Sequence, residues 1–90
     1  MIGRAVVVLY ANCEIAYNGR ASSTASKEWR IIIIKPDGSL LIHTNEGYQP
    51  LNWQPPGSRI TITTINGVKT IMAVRYRPRE VIRVSLYDVE

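Results

Sequence analysis

Ninety residues, 46% of them apolar and 20% charged, are one globular domain's worth of chain, with too little length for two cores. No apolar run reaches the ~18 residues of a membrane-spanning helix. No signal-peptide pattern is present and the single cysteine, Cys13, excludes an internal disulfide, so a cytoplasmic location is the expectation and Cys13 reads as a small core residue. The net charge of +4 is unevenly spread: Arg59, Lys69, Arg75, Arg77, Arg79 and Arg83 crowd into one stretch whose only acid is Glu80, while Asp88 and Glu90 close the chain. That distribution points to a polyanionic partner met by the later strands, or else to a solvated basic face. A chain this short buries only about 60–65% of its unfolded surface, so pairing with a second copy would add needed burial.

In chain order, Ala5 to Tyr17 reads as a long strand, and the unbroken apolar run Val6 to Tyr10 predicts burial on both faces there. Asn18-Gly19 is a two-residue turn signal. It is either a tight hairpin turn flanked by Tyr17 and Arg20, or a bulge at Gly19 that re-aims Arg20; both bring an aromatic ring and a guanidinium close together. Ala21 to Ser26, small and polar, reads as a mobile loop or a weak edge strand. Trp29 to Lys35 is a strand built on four consecutive isoleucines, and Pro36-Asp37-Gly38 turns it into the partner strand Ser39 to Thr44. His43 stands alone, sharing a strand face with Leu41, with no second histidine to make a metal site.

The segment from Tyr48 to Gly57 breaks the pattern. It holds three of the five prolines and one of the two tryptophans, and proline bars it from the interior of a sheet. A stiff loop is expected, presenting Asn52 and Trp53 in fixed positions: a flat ring to stack on a nucleobase and an amide to hydrogen-bond it, or a ring that plugs the end of a barrel. Arg59 to Ile65 and Val68 to Arg77 form a second hairpin about Asn66-Gly67, with Lys69, Ile71, Ala73, Arg75 and Arg77 on one face, so that the arginines could track phosphates. Pro78 ends that strand, and Arg79 to Asp88 is the last one. The sum is an all-β domain of about six strands, a small antiparallel half-closed barrel or a sandwich.

No catalytic constellation is legible. The acidic residues are scattered, no Glu-x-Lys, Gly-x-Ser-x-Gly or Cys/His pairing occurs, and neither a metal nor a cofactor is expected.

Taken together, Cys13-Glu-Ile-Ala-Tyr-Asn-Gly-Arg20, the Ile-Ile-Ile-Ile-Lys-Pro-Asp-Gly38 run, Leu-Ile-His43, Gly47-Tyr-Gln-Pro-Leu-Asn-Trp53, Pro-Pro-Gly57 and Arg77-Pro-Arg-Glu80 resemble the N-terminal domain of the NucS/EndoMS endonucleases, from about Ala5 onward. The resemblance implies a β-rich domain that dimerises and binds single-stranded or mismatched DNA, followed in relatives by a linker and a RecB-like, divalent-metal-dependent nuclease domain. This chain stops where that linker would begin, so the expectation is binding without cleavage. The resemblance further implies that Tyr17 and Trp53 sandwich a flipped base, with Asn52 at its polar edge and Arg20 as a basic contact; Arg75 and Arg77 are added from the charge pattern. The alternative is a protein-interaction module that uses the same rings and arginines as hot spots.

Overall fold

The computed structural model describes residues 5–47 and 51–90. All seven strands are antiparallel: β1 (Val7–Asn18), β2 (Ser22–Ile34), β3 (Leu40–His43), β4 (Asn52–Gln54), β5 (Arg59–Ile65), β6 (Val68–Arg75) and β7 (Glu80–Val89). They form one sheet in the order β4-β3-β2-β1-β7-β6-β5. The expected all-β half-closed barrel is the observed architecture.

The connectivity explains the curl. β4 and β5 are the two edges of the sheet, yet only Pro55 to Ser58 join them. Flat, the edges would stand about 29 Å apart, at six strand spacings of ~4.8 Å. Five chain steps from Gln54 to Arg59 reach at most about 18 Å, so the sheet must roll. Extents of 32 × 32 × 31 Å record the result. Irregularities in β1 assist: its register shifts between Asn12 and Cys13 against β7, and between Cys13 and Ile15 against β2. Such bulges bend and twist a strand. Arg30 serves the second irregularity: almost wholly buried, it donates from Nη1 to the Cys13 carbonyl at 2.6 Å and lies 3.5 Å from Glu28.

The concave face is the core. It collects Ala11, Cys13 and Ile15 from β1, Ile32 and Ile34 from β2, Leu40 and Ile42 from β3, Ile71 and Ala73 from β6, and Ile82, Val84 and Leu86 from β7. Cys13 is fully buried there, as expected.

Two hairpin turns follow the sequence reading. Asn66 (φ 51°) and Gly67 (φ 79°) link Ile65 to its partner Val68. In the other, Gly38 takes φ 88° and donates to Lys35 O at 3.0 Å, while Asp37 Oδ1 accepts from Ser39 N and Oγ. Those two bonds hold the Asp37 carboxyl below its usual pKa. Gly57 N donates to Asp37 O at 2.9 Å, and a Cβ on Gly38 would stand 2.5 Å from Ser58 O. This turn is thus docked on the connector that draws the sheet edges together.

Other expectations are corrected. The described residues hold seven strands because Asn52–Gln54, expected as loop, pairs with β3 as a short edge strand. An edge tolerates flanking prolines, since only one side of its backbone is needed for pairing. Of the two readings of Ala21 to Ser26, the loop is wrong and the edge strand is found from Ser22 on: Ser22 to Ser26 opens β2 and lies against β1, and β3 covers only Ile31–Ile34 on its other side. Tyr17 lies opposite Ser23, so Tyr17 and Arg20 are not a cross-strand pair; Arg20 sits in the turn. Val6 to Tyr10 is not buried on both faces, for Val6 is 55% and Val8 62% exposed. Only Ile32 and Ile34 of the isoleucine quartet enter the core; Ile31 and Ile33 point outward by the two-residue period. β6 ends at Arg75, and Arg77 lies in a turn at φ 67°, so strand alternation does not place it on the face of Arg75. Met1 to Arg4 and Tyr48 to Pro50, the latter part of the expected stiff loop, lie outside the described residues.

Candidate nucleic-acid interface

At one end of the half-barrel, a cavity of about 340 Å³ is lined by Tyr17, Asn52, Trp53, Gln54, Pro55, Arg75 and Glu80. This is near the small end of the ~300–1,000 Å³ range of ligand sites, a size for one flat group.

Each wall has a local cause. Tyr17, near the end of β1, packs its ring against the rim of the core. Its hydroxyl donates to Glu80 Oε2 at 2.6 Å. That bond, then partial burial, then the negative charge of Glu80 push the Tyr17 pKa up, against the lowering pull of Arg20 and Arg75; the phenol is therefore neutral at physiological pH. Arg75 and Glu80 face each other across β6 and β7, and Arg75 Nε lies 3.6 Å from Glu80 Oε1. Gly19 leaves room for this cluster. It has no positive φ to accommodate; a Cβ there would collide with the Tyr17 hydroxyl and stand 3.2 Å from Glu80 Cγ.

On the opposite wall, β4 alternates. Asn52 and Gln54 share the inner face, where Gln54 sits opposite the core residue Leu40, while Trp53 is opposite the outward Leu41. Asn52 Oδ1 accepts from Trp53 N at 2.9 Å, and its Nδ2 donates to no other group among the described residues. Trp53 is 60% exposed at the cavity rim. Tyr17 and Trp53 do not touch: among the described residues the ring pair in contact is Tyr10 with Trp29, centroids 5.1 Å apart. The expected site residues thus separate. Tyr17, Asn52, Trp53 and Arg75 meet at one cavity; Arg20 and Arg77 are exposed in neighbouring turns and do not line it. Arg79 and Arg83 line a shallow hollow on the far side of Asn18 and Gly19.

Sequence reasoning missed Glu80 and Gln54. Glu80 becomes visible only through the β6–β7 register. Gln54 carried a signal, since a residue two along from Asn52 must share its face in a strand. A larger hollow of about 510 Å³ runs between β2 and the β5–β6 turn. Its ring, Tyr87, already donates to Glu14 and is capped by Lys27, 3.9 Å above the ring centroid, so that ring face is occupied. Among the described residues no group of three His, Cys, Asp or Glu side chains is placed to hold a metal ion.

Comparison with known proteins follows the same direction. Residues 3–90 match the family model described as the endonuclease NucS N-terminal PH-like domain. The chain is 53% identical over 76 residues to endonuclease NucS of Sulfolobus acidocaldarius, covering 84% of this chain and 30% of that protein. It is 46% identical over 83 residues to the Pyrococcus abyssi endonuclease NucS, covering 92% and 32%. The chain therefore spans about a third of the length of these relatives. Among solved structures it resembles that of an EndoMS–dsDNA2 complex, with a TM-score of 0.90 at 41% identity over 96% of this chain and 36% of that one. It also resembles the crystal structure of a repair endonuclease from Pyrococcus abyssi, with a TM-score of 0.82 at 44% identity over 96% and 36%.

Proposed function

The chain belongs to the NucS endonuclease family, as its N-terminal PH-like domain, and on that premise we propose that it binds single-stranded or mismatched DNA by taking one unpaired or flipped base between Tyr17 and Trp53. The observation that supports this reading is the convergence of Tyr17, Asn52, Trp53 and Arg75 on one base-sized cavity. Asn52 Nδ2 meets the polar edge of the base. Arg20, Arg75 and Arg77 contact phosphates around it. The chain does not cut; cleavage belongs to a nuclease domain, fused or separate.

The energetics give selectivity a source. Extracting a base costs a few kcal/mol, least for one already mispaired. Stacking returns about 1–3 kcal/mol per ring. For a mismatch these nearly cancel; for a sound pair the cost wins. The test is competition between matched and mispaired duplexes, in which the mispaired one should win.

The chain also pairs with a second copy, and a distinct observation favours this. On the convex face Val8, Ile33 and Leu41 form a row across three strands, and Tyr10, Ile31 and His43 form the next. Antiparallel sheets ordinarily turn a polar face to water; these two rows carry no Lys, Arg, Asp or Glu. The Arg-rich stretch lies on β5 to β7, so two copies meeting through β1 to β4 keep their positive charges apart.

A further inference from the structure

Gln54 is 2% exposed, and its Nε2 finds no hydrogen-bond partner among the described residues. Buried amide donors are nearly always satisfied, because leaving one unpaired costs free energy that water would otherwise have returned. The other orphaned buried donor, Arg30 Nε, belongs to a guanidinium already held by Cys13 O and Glu28, and it lines none of the cavities described above. Gln54 differs because it lines the Tyr17–Trp53 cavity. Period-2 alternation puts it on the inner face of β4 with Asn52, across from Tyr17 and Glu80.

We infer that Gln54 is a ligand-reading residue whose side-chain amide is left unsatisfied until a neutral hydrogen-bond acceptor, a carbonyl oxygen or ring nitrogen of a nucleobase, enters the cavity. The inference rests on the base-pocket reading and adds to it a specific donor. The Glu80 carboxylate in the same wall argues against a phosphate there: an anion would stand beside a negative charge that Arg75 engages only at 3.6 Å. A base brings what the wall lacks. Its acceptor satisfies Gln54, and its own N–H groups can donate to Glu80, which already accepts from Tyr17. Asn52 Nδ2 is a second donor on the same strand face. The cavity therefore reads an edge carrying both acceptors and donors, which a sugar-phosphate alone does not offer.

Gln54→Met keeps the length of the side chain and removes the orphan. The probes are three fluorescein-labelled duplexes of one sequence: fully matched, with one mispaired base, and with an abasic tetrahydrofuran residue at that position. Q54M should lose about 3- to 10-fold in affinity for the mispaired duplex, the measure of one hydrogen bond. Its affinity for the abasic duplex should be unchanged, and its thermal midpoint should equal or exceed that of the wild type. Equal losses on mispaired and abasic duplexes, or no loss on either, overturn the inference. A readout on the wild type needs no variant to fold: the Gln54 side-chain amide signal in a ¹⁵N-edited NMR spectrum should shift, and its hydrogen exchange slow, with the mispaired duplex and not with the abasic one. Wild-type protein that prefers mispaired duplex while this signal stays still overturns the role of Gln54 alone. Wild-type protein that binds mispaired and matched duplexes equally overturns the base pocket, and this inference with it.

Discussion

Tyr17 is held by a carboxylate rather than by packing alone. Its hydroxyl donates to Glu80, and that bond is the first cause of its raised pKa. Proton linkage gives the consequence its sign. A phenol whose folded pKa is raised holds its proton more tightly in the native state, so its contribution to stability is whole below the ordinary tyrosine value and is lost as pH rises through the raised one. Tyr87, bonded to Glu14, behaves the same way, so the alkaline loss has two sources. Glu80→Gln removes only one. A titration followed by ¹³Cζ tyrosine NMR, with Tyr17→Phe to assign the signal, should show Tyr17 ionising above an ordinary tyrosine in the wild type and falling back toward it in Glu80→Gln, with Tyr87 unmoved. An unshifted Tyr17 in the wild type would contradict the assigned contact.

At the level of elements, the turns separate what a sequence declares from what only a fold reveals. Asn66-Gly67 and Pro36-Asp37-Gly38 are legible because their glycines answer a local demand, a positive φ. Gly19 answers a distant one, room for Tyr17 beside Glu80, sixty-odd residues away in the chain. That is why two readings of Asn18-Gly19 remained open from sequence. The two legible glycines are not equivalent. A Cβ on Gly67 meets open space, so Gly67→Ala should cost only the left-handed strain of about 1–2 kcal/mol. A Cβ on Gly38 meets the Ser58 backbone, so Gly38→Ala should cost more, on the order of 3–4 kcal/mol, since the docked connector must shift as well. Urea unfolding of both variants checks the order; equal losses would contradict the docking of this turn on Gly57 and Ser58. Alternation was equally partial. It puts alternate isoleucines on opposite faces, but with apolar residues on both, nothing local says which face is the core. β4 was hidden for a related reason: three of the four residues between two prolines make a strand only because β3 offers an edge.

For the whole molecule, the roll of the sheet makes the site, since it brings β4 to the end of β1 and to the β6–β7 turn. Tyr17, Asn52, Trp53 and Arg75 are singled out by residue type and resemblance, and they meet at the cavity. Gln54 and Glu80 emerge only from register and burial, because an ordinary Gln or Glu carries no mark of where its neighbours will be. On the convex face Val8 is exposed and Ile33 and Leu41 are half-buried. Sedimentation equilibrium should find about twice the 10.1 kDa chain mass for the wild type. Ile33→Lys should be a folded monomer, because burying an unpaired ammonium in that interface is unfavourable. A wild type that stays monomeric at high concentration, on the order of 100 μM, would contradict the pairing, since a Kd weaker than ~100 μM is worth less than about 5.5 kcal/mol.

On the proposed reading Tyr17 and Trp53 hold one extruded base while arginines hold phosphates. The most direct test measures the affinity of wild-type and folded Trp53→Ala protein for matched and mispaired duplexes across a salt series. The wild type should prefer the mispaired duplex. Trp53→Ala should lose about 1–3 kcal/mol on it, with little change on the matched one. Both proteins should keep the same log–log salt slope, near −0.9 per neutralised phosphate. A Trp53→Ala protein that retains the full preference, or a wild type that binds neither duplex at low salt, would contradict the account.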